Sequence, residues 1–165
     1  MNKKLLMGVA GFCAMGLSAG AWAADAATAD EVVGKVKEAA TAVKANADVA
    51  LSEFDKKDGK WAWKDTYVFV LDCTAGTMKA HPNEKVKGMK LTDLKDKATD
   101  KEFGTALCDA AKKTHGGWVE YMWTKPGAEG HHRKVAYILS AGNYQVAAGV
   151  YDDKMTVQQL EAKTK

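Results

Sequence analysis

The sequence predicts an α+β fold: a five-stranded antiparallel sheet with a long N-terminal helix on one face and a partly helical cover segment on the other. First, apolar residues recur at three- and four-residue steps over residues 29–54, which is the period of a helix. Second, three strand-like segments near the C-terminus are joined by short turns, which connect antiparallel neighbours. Third, the 165 residues contain no repeat or linker, as expected for one domain.

The first 23 residues have the three parts of an export signal. Lys3 and Lys4 supply the positive charge, residues 5–17 are apolar, and Ala21-Trp22-Ala23 has the small-x-small pattern of a cleavage site. The apolar run is shorter than the roughly 20 residues that a membrane-spanning helix needs. We therefore expect cleavage after Ala23, a single domain over residues 24–165, and a periplasmic location.

Removal of this signal changes the charge and the cysteine count. It takes away two of the 24 basic residues and none of the 21 acidic ones, so that the net charge falls from +3 to +1. A nearly neutral surface with interleaved signs argues against nucleic-acid binding. Cys73 and Cys108 remain, an even number in an oxidising compartment. We predict a disulfide between them; the alternative is two separately buried thiols.

The elements are predicted in order along the chain. The long helix covers residues 29–54, with Asp30 as its N-cap. Val49 lies off its apolar stripe, which suggests a homodimer through this helix. The apolar run over residues 65–71 is typical of a strand buried on both faces. A second strand over residues 77–80 follows the turn at Ala75-Gly76 and leads into His81-Pro82.

The second half of the chain predicts the cover segment and three further strands. A polar connection over residues 83–97 and a helix over residues 100–113 form the cover segment, and Gly116-Gly117 ends that helix. Alternation and turn residues predict three strands, over residues 118–124, 133–139 and 144–151. A helix that is capped by Asp152-Asp153 and ends near Ala162 closes the chain.

Several short motifs appear in a fixed order between about residues 29 and 160. They are WAWKDTYVFVLD (61–72), GTMKAHP (76–82), GMKLTD (88–93), GWVEYMW (117–123), KPG (125–127), RKVAY (133–137) and YQVAAGVY (144–151). In order and spacing they resemble the single Cache domains of bacterial extracytoplasmic sensors. The resemblance implies a PAS-like antiparallel sheet with one pocket for a small molecule, often a short organic acid.

The same resemblance implies a biological setting. Such domains usually form the outer part of chemoreceptors and sensor kinases. This sequence shows no second transmembrane helix and no cytoplasmic output module. We therefore expect a free-standing periplasmic protein that binds a small organic acid and presents it to a membrane-bound chemoreceptor, sensor kinase or transporter.

Two neighbouring cations are candidates for holding a carboxylate, which needs a cation or a hydrogen-bond donor in an otherwise apolar cavity. Strand alternation places Arg133 and Tyr137 on one face of the sheet and Lys134 on the other. The resemblance instead favours Lys134 and Tyr137 together. The sequence leaves open whether Arg133 or Lys134 faces the pocket.

Aromatic and histidine side chains are the candidate hydrogen-bond donors, because each joins an apolar body to a polar tip. For Tyr121 and Trp123 the alternative is ordinary core packing, and Trp118 after Gly-Gly is a candidate for the pocket rim. The full set of candidate ligand-binding residues is Tyr67, His81, Trp118, Tyr121, Trp123, Lys134 and Tyr137.

Sequence patterns for catalysis are not found. The chain has no HExxH, no GxSxG and no Cys-rich or His-rich cluster at ligand spacing, so we expect no enzyme activity, metal or cofactor. Two classes of function remain. One is a ligand-binding protein, and the other is an interaction protein that keeps the fold without a functional pocket.

Overall fold

The computed structural model describes residues 25–164, so the predicted export signal over residues 1–23 lies outside the described residues. The elements are α1 (Ala29–Ala45), α2 (Ala47–Phe54), β1 (Ala62–Trp63), β2 (Thr66–Tyr67), β3 (Phe69–Asp72), β4 (Thr77–Ala80), a 3₁₀ turn (Leu91–Asp93), α3 (Gly104–Ala111), β5 (Gly117–Trp123), β6 (His132–Ala141), β7 (Tyr144–Tyr151) and α4 (Val157–Lys163). The predicted α+β architecture is confirmed. None of these helices is long and apolar enough to cross a membrane.

The main sheet has five antiparallel strands in the order β4-β3-β7-β6-β5. Strands β5, β6 and β7 form a meander, and the β3-β4 hairpin joins it because β3 also pairs with β7, which is distant in sequence. The long strand β6 therefore lies between β5 and β7, with every residue of Lys134–Ile138 paired on both sides. This double pairing holds the side chains of β6 in strict alternation between the two faces.

Each face of the sheet carries its own core. Helix α1 packs on one face through Val32, Val36 and Val43, together with β6 residues such as Val135. The cover segment packs on the other face through Leu91, Leu94, Phe103 and Leu107, together with Ala136 and Ile138 of β6. The predicted arrangement, with helix and cover segment on opposite faces, is confirmed.

The predicted long helix is broken at Asn46. The backbone of Asn46 is extended at φ −158°, and its side chain accepts a hydrogen bond from the Val49 amide at 3.2 Å, which caps the start of α2. Asparagine competes with the helix in this way because its side chain bonds to nearby backbone. The N-cap of α1 is Thr28, which forms a capping box with Glu31, so the predicted cap at Asp30 was wrong.

Three other predicted boundaries also differ. The apolar run over residues 65–71 forms two short strands, because the turn at Lys64 (φ 49°) first folds β2 back onto β1. Helix α3 starts four residues later than predicted, since Glu102 pairs with Lys95 in an isolated bridge. The closing helix begins after Thr156, which forms a capping box with Gln159.

The predicted disulfide is present in the structure. Cys73 lies just after β3 and Cys108 lies in α3, and their Cα atoms are 5.8 Å apart. The bond therefore fastens the helix of the cover segment to the C-terminal end of β3, an interior strand of the sheet. It closes a loop with a sequence separation of 35 residues.

Replacing both cysteines by serine (Cys73→Ser/Cys108→Ser) should lower the free energy of unfolding by about 4 kcal/mol, because the unfolded chain regains the entropy of the open loop. Urea denaturation with and without a thiol reductant measures this. The reductant should destabilise the wild type by a similar amount and leave the double variant unaffected. Two alkylatable thiols in the unreduced mature protein would contradict the prediction.

Candidate ligand-binding site

Lys134 lies near the start of β6, on the sheet face that the cover segment packs on. The strand register places it opposite Tyr121 on β5 and opposite Tyr151 on β7. Its side chain is only 1% exposed. Lysine is almost never buried to this degree without a charged partner, which makes its surroundings informative.

Three aromatic rings, which we call the aromatic cage, surround the Lys134 ammonium. Its Nζ lies 4.2 Å from the ring centroid of Tyr67, 4.8 Å from that of Phe69 and 5.0 Å from that of Tyr151. Such contacts stabilise a cation through the negative face of the ring. Within residues 25–164 the ammonium forms neither an ion pair nor a hydrogen bond. The cage is therefore its main source of stabilisation.

Burial sets the protonation state of this lysine. Desolvation lowers the pKa of Lys134 to about 7, and the nearby carboxylate of Asp65 opposes this effect only in part. Asp65 is itself buried, and its Oδ1 accepts a hydrogen bond from the Ala27 amide at 2.8 Å. The lysine is thus close to losing its proton at neutral pH, and a bound anion would hold the proton in place.

His81 lies next to the cage as a neutral imidazole. Burial and the neighbouring Lys134 lower the pKa of His81 to about 3. Its Nδ1 accepts a hydrogen bond from the Asn83 amide at 2.9 Å, which leaves the proton on Nε2 as a donor. Its ring packs edge-on against Tyr67 with the centroids 4.9 Å apart.

An open cleft of about 560 Å³ reaches the cage from outside. Its lining residues are Lys57, Ala62, Trp63, Lys64, Thr66, Tyr67, His81, Pro82, Asn83, Lys85, Thr124, Lys125 and Pro126. Tyr67 and His81 therefore border the cleft on one side, and on the other side the Tyr67 ring contacts Lys134. Lys134 itself is not among the lining residues, so the Tyr67 ring lies between the cleft and the ammonium.

Hydroxyl groups complete the polar inventory of this region. The Tyr67 and Tyr151 hydroxyl oxygens are 3.5 Å apart, and the Tyr151 hydroxyl donates to the Thr124 carbonyl at 2.8 Å. Tyr121 stacks on Phe103 with the ring centroids 3.8 Å apart, and burial raises the pKa of the Tyr121 hydroxyl. Because the single O–H of Tyr151 already donates to Thr124, the hydroxyls of Tyr67 and Tyr121 are the possible donors to an anion.

Five of the seven candidate residues lie on this face of the sheet. Tyr67 contacts both His81 and Lys134, and Tyr121 lies beside Lys134 in the strand register. Trp123 packs on Phe103 in the same core, with its ring centroid 5.5 Å away and the planes nearly perpendicular. Tyr121 and Trp123 therefore also pack in the core, which is the alternative role that the sequence analysis gave for them.

The other two candidates, Trp118 and Tyr137, are on the opposite face, in the core beneath α1. The Tyr137 hydroxyl donates to the His115 carbonyl at 2.5 Å. The rings of Trp118 and Tyr137 pack against each other with their centroids 5.2 Å apart. Strand alternation thus outweighs the pairing of Lys134 with Tyr137 that the resemblance favoured. Arg133 shares this opposite face and forms an ion pair with Glu120 at 2.6 Å.

Sequence reasoning missed two members of the cage, Phe69 and Tyr151. Phe69 is two residues after Tyr67, so strict alternation would have placed both on one face, but residues 65–71 looked like a strand buried on both faces. Tyr151 is the last residue of β7, and the sequence pattern indicates only the end of a strand at this position. Within the described residues, no three His, Cys, Asp or Glu side chains are grouped as a metal site.

Gly149 leaves the space that the Lys134 side chain occupies. A Cβ atom at this position would lie 2.7 Å from Lys134 Cε and 2.9 Å from Lys134 Cγ. Both distances are shorter than normal carbon contacts, so any larger residue would push the lysine stem away. Gly149 is therefore a positioning residue for the ammonium.

A family model for the Cache domain matches residues 35–156. Solved structures share the fold. A methyl-accepting chemotaxis protein from Vibrio parahaemolyticus RIMD 2210633 has a TM-score of 0.60 at 23% identity, over 75% of this chain and 88% of that one. A Cache chemosensory domain described for carboxylic acid recognition has a TM-score of 0.60 at 22% identity, over 76% and 93%.

A third structure, the periplasmic sensor domain of a chemotaxis protein, has a TM-score of 0.57 at 20% identity, over 76% of this chain and 90% of that one. At these identities the likeness establishes a common fold. Among curated proteins, none matches the sequence significantly.

Replacing Gly149 by alanine should lower the free energy of unfolding by about 1–3 kcal/mol, because the new methyl group overlaps the Lys134 stem. Gly34→Ala is the matched control: Gly34 is on α1, where an added Cβ meets nothing within 4 Å. That variant should be slightly more stable than the wild type, since alanine favours the helix. Urea midpoints measure both, and a Gly149→Ala variant as stable as the wild type would contradict the overlap.

Replacing Lys134 by methionine should raise the free energy of unfolding at pH 6 by about 5 kcal/mol, since the cost of burying the charge disappears. The folded-state pKa of about 7 lies below the model value of 10.5. The cost is therefore complete below about pH 7 and is relieved as the pH rises toward 10.5. The gain in stability should accordingly shrink between about pH 7 and 10. A gain that is equal at about pH 6 and pH 9 in urea denaturation would refute the shifted pKa.

Proposed function

The chain belongs to the Cache domain family, and on that premise we propose that it is a periplasmic, sensor-type domain that binds a small organic acid at Lys134. The observation that carries the proposal is a buried ammonium group whose surroundings in the described structure are aromatic rings rather than a paired carboxylate. A buried charge without a counter-ion is costly. A carboxylate ligand supplies the missing charge.

The groups around Lys134 support an acid as the ligand rather than an amine. The aromatic cage, which would otherwise suit a cationic ligand, is filled by the ammonium of the protein itself. The donors nearby are the Nε2–H of His81 and the hydroxyls of Tyr67 and Tyr121, and all three suit carboxylate oxygens. In this proposal Lys134 neutralises the acid, and these donors orient it.

The role of this binding is to present the ligand to a membrane-bound chemoreceptor, sensor kinase or transporter. Binding alone, without catalysis, is all that the site needs for this role. A homodimer through the N-terminal helical region is part of the same proposal, supported by Val49, which is 60% exposed on α2. The alternative function is that of an interaction protein without a ligand, and it predicts that no acid binds.

Isothermal titration with a panel of C2 to C4 carboxylic acids tests the proposal. We expect at least one acid to bind, and Lys134→Met to abolish the binding because the counter-charge is lost. Lys79→Met is the matched control: Lys79 also contacts an aromatic ring, Tyr144 at 5.8 Å, but does not line the cleft. That variant should bind like the wild type. Failure of every acid to bind would favour the interaction protein.

The affinity for the acid should depend on pH through Lys134. With a pKa of about 7 in the free protein, the lysine is charged below that pH and must take up a proton to bind an anion above it. The dissociation constant should therefore rise about tenfold between pH 6 and 8. An affinity that is constant over that range would show that the acid does not pair with Lys134.

A further inference from the structure

The Tyr67 ring separates the cleft from the buried ammonium. Tyr67 lines the cleft, and its ring centroid lies 4.2 Å from Lys134 Nζ. Tyr67 is 7% exposed and Lys134 is 1% exposed. With the ring in this position, a molecule in the cleft does not reach the ammonium. Any molecule that enters from the cleft must therefore first displace the ring.

The backbone on both sides of Tyr67 is anchored. The Asp65 carboxylate accepts a hydrogen bond from the backbone before α1 at 2.8 Å, and the Thr66 hydroxyl donates to the Gly149 carbonyl at 2.6 Å. The Val68 amide donates to a carbonyl beside β1 at 2.8 Å. Movement of the whole β1-β2 hairpin would break these bonds, and buried hydrogen bonds are costly to lose. Rotation of the Tyr67 side chain alone would keep all three.

The ring is held more loosely than this backbone. The Tyr67 hydroxyl oxygen is 3.5 Å from that of Tyr151, beyond the range of about 2.5–3.0 Å that is usual for O–H···O bonds. Burial raises the pKa of the Tyr67 hydroxyl, and its contacts with Tyr151 and Trp123 offset this only in part. The cleft of about 560 Å³ beside the ring leaves room for it to rotate outward.

We infer that the Tyr67 side chain is a gate, which rotates into the cleft about an anchored backbone and opens a path from the cleft to the Lys134 ammonium. Tyr67 is then the residue that controls access to Lys134. The gate itself does not require a ligand. Its use for the entry of an acid rests on the proposed function and deepens it, because it names the step that admits the acid.

Trace labelling of amines with acetic anhydride tests the gate without any ligand. Labelling between about pH 6 and 10, read by mass spectrometry of peptides, gives the rate constant of each neutral amine separately from its pKa. Lys79 is exposed and serves as the reference. Because a minor open state usually holds about 0.1–10% of the molecules, the wild-type rate constant of Lys134 should be about 10- to 1,000-fold lower than that of Lys79. Urea up to about 1 M should change it little, since a rotating side chain exposes little new surface.

Tyr67→Ala should raise the rate constant of Lys134 by at least about tenfold, because the path from the cleft is then always open. Phe69→Ala is the matched control: the Phe69 ring also contacts the ammonium, with its centroid at 4.8 Å, but does not line the cleft. That variant should leave Lys134 shielded. If circular dichroism shows that either alanine variant does not fold, Tyr67→Leu and Phe69→Leu provide a milder form of the same comparison.

Three results of the labelling would overturn the inference. A wild-type rate constant equal to that of Lys79 would show that the amine is not shielded. An equal rise in the Tyr67 and Phe69 variants would show that a loosened core, rather than an opened gate, exposes the amine. A wild-type rate constant that rises steeply with urea would show that labelling requires unfolding.

The kinetics of acid binding separate the gate from the proposed function. For any acid of the C2 to C4 panel that binds, Tyr67→Ala should raise the association rate constant in stopped-flow measurements by at least about tenfold, because binding no longer waits for the open state. An unchanged association rate constant would show that the acid reaches Lys134 by another path and would overturn the inference. If no acid binds, the proposed function fails, and the labelling of Lys134 alone decides whether Tyr67 is a gate.

Discussion

The burial of one ammonium group determines how this side of the protein is built. Transfer of a lone charge from water into a protein interior is among the most costly events in folding. Here three rings, whose centroids lie between 4.2 and 5.0 Å from Lys134 Nζ, reduce the cost. Because the pKa of Lys134 is lowered to about 7, the group can also lose its charge near neutral pH. Gly149 leaves room for the stem, because a side chain there would overlap it. These features stabilise a cation whose burial, taken alone, lowers the stability of the fold.

The two faces of the sheet bury different kinds of side chain. The face beneath α1 is an apolar core that places its own tyrosine, Tyr137, in a hydrogen bond with a backbone carbonyl. The other face holds a charge although the cover segment closes it off from water, and the aromatic rings around Lys134 offset part of the cost. The disulfide ties α3 to the C-terminal end of β3, and neither cysteine lines the cleft. The cover segment is thus held firmly at one end, while the open cleft lies at the other.

Local patterns in the sequence were sufficient for the architecture but not for the site. Periodicity and turn residues predicted the sheet and the two layers, because these depend largely on neighbours in sequence, and the even number of cysteines in the predicted mature chain predicted the disulfide. Alternation along β6 even separated Lys134 from Arg133 and Tyr137 correctly. The aromatic cage needed β2, β3 and β7 to meet around one atom, and this depends on β7 pairing with β3. Nothing in the sequence signals that pairing, so Phe69 and Tyr151 were missed.

The turn between β1 and β2 connects the cleft to the opposite side of the molecule. Lys64 in this turn forms an ion pair with Glu31 in the first turn of α1 at 2.7 Å, and Asp65 accepts a hydrogen bond from the backbone just before that helix at 2.8 Å. The same Asp65 holds Lys125 at the mouth of the cleft. Tyr67, two residues further on, covers the ammonium of Lys134. Lys125, Lys134 and the N-terminal helical region are therefore all contacted by one short segment, residues 64–67.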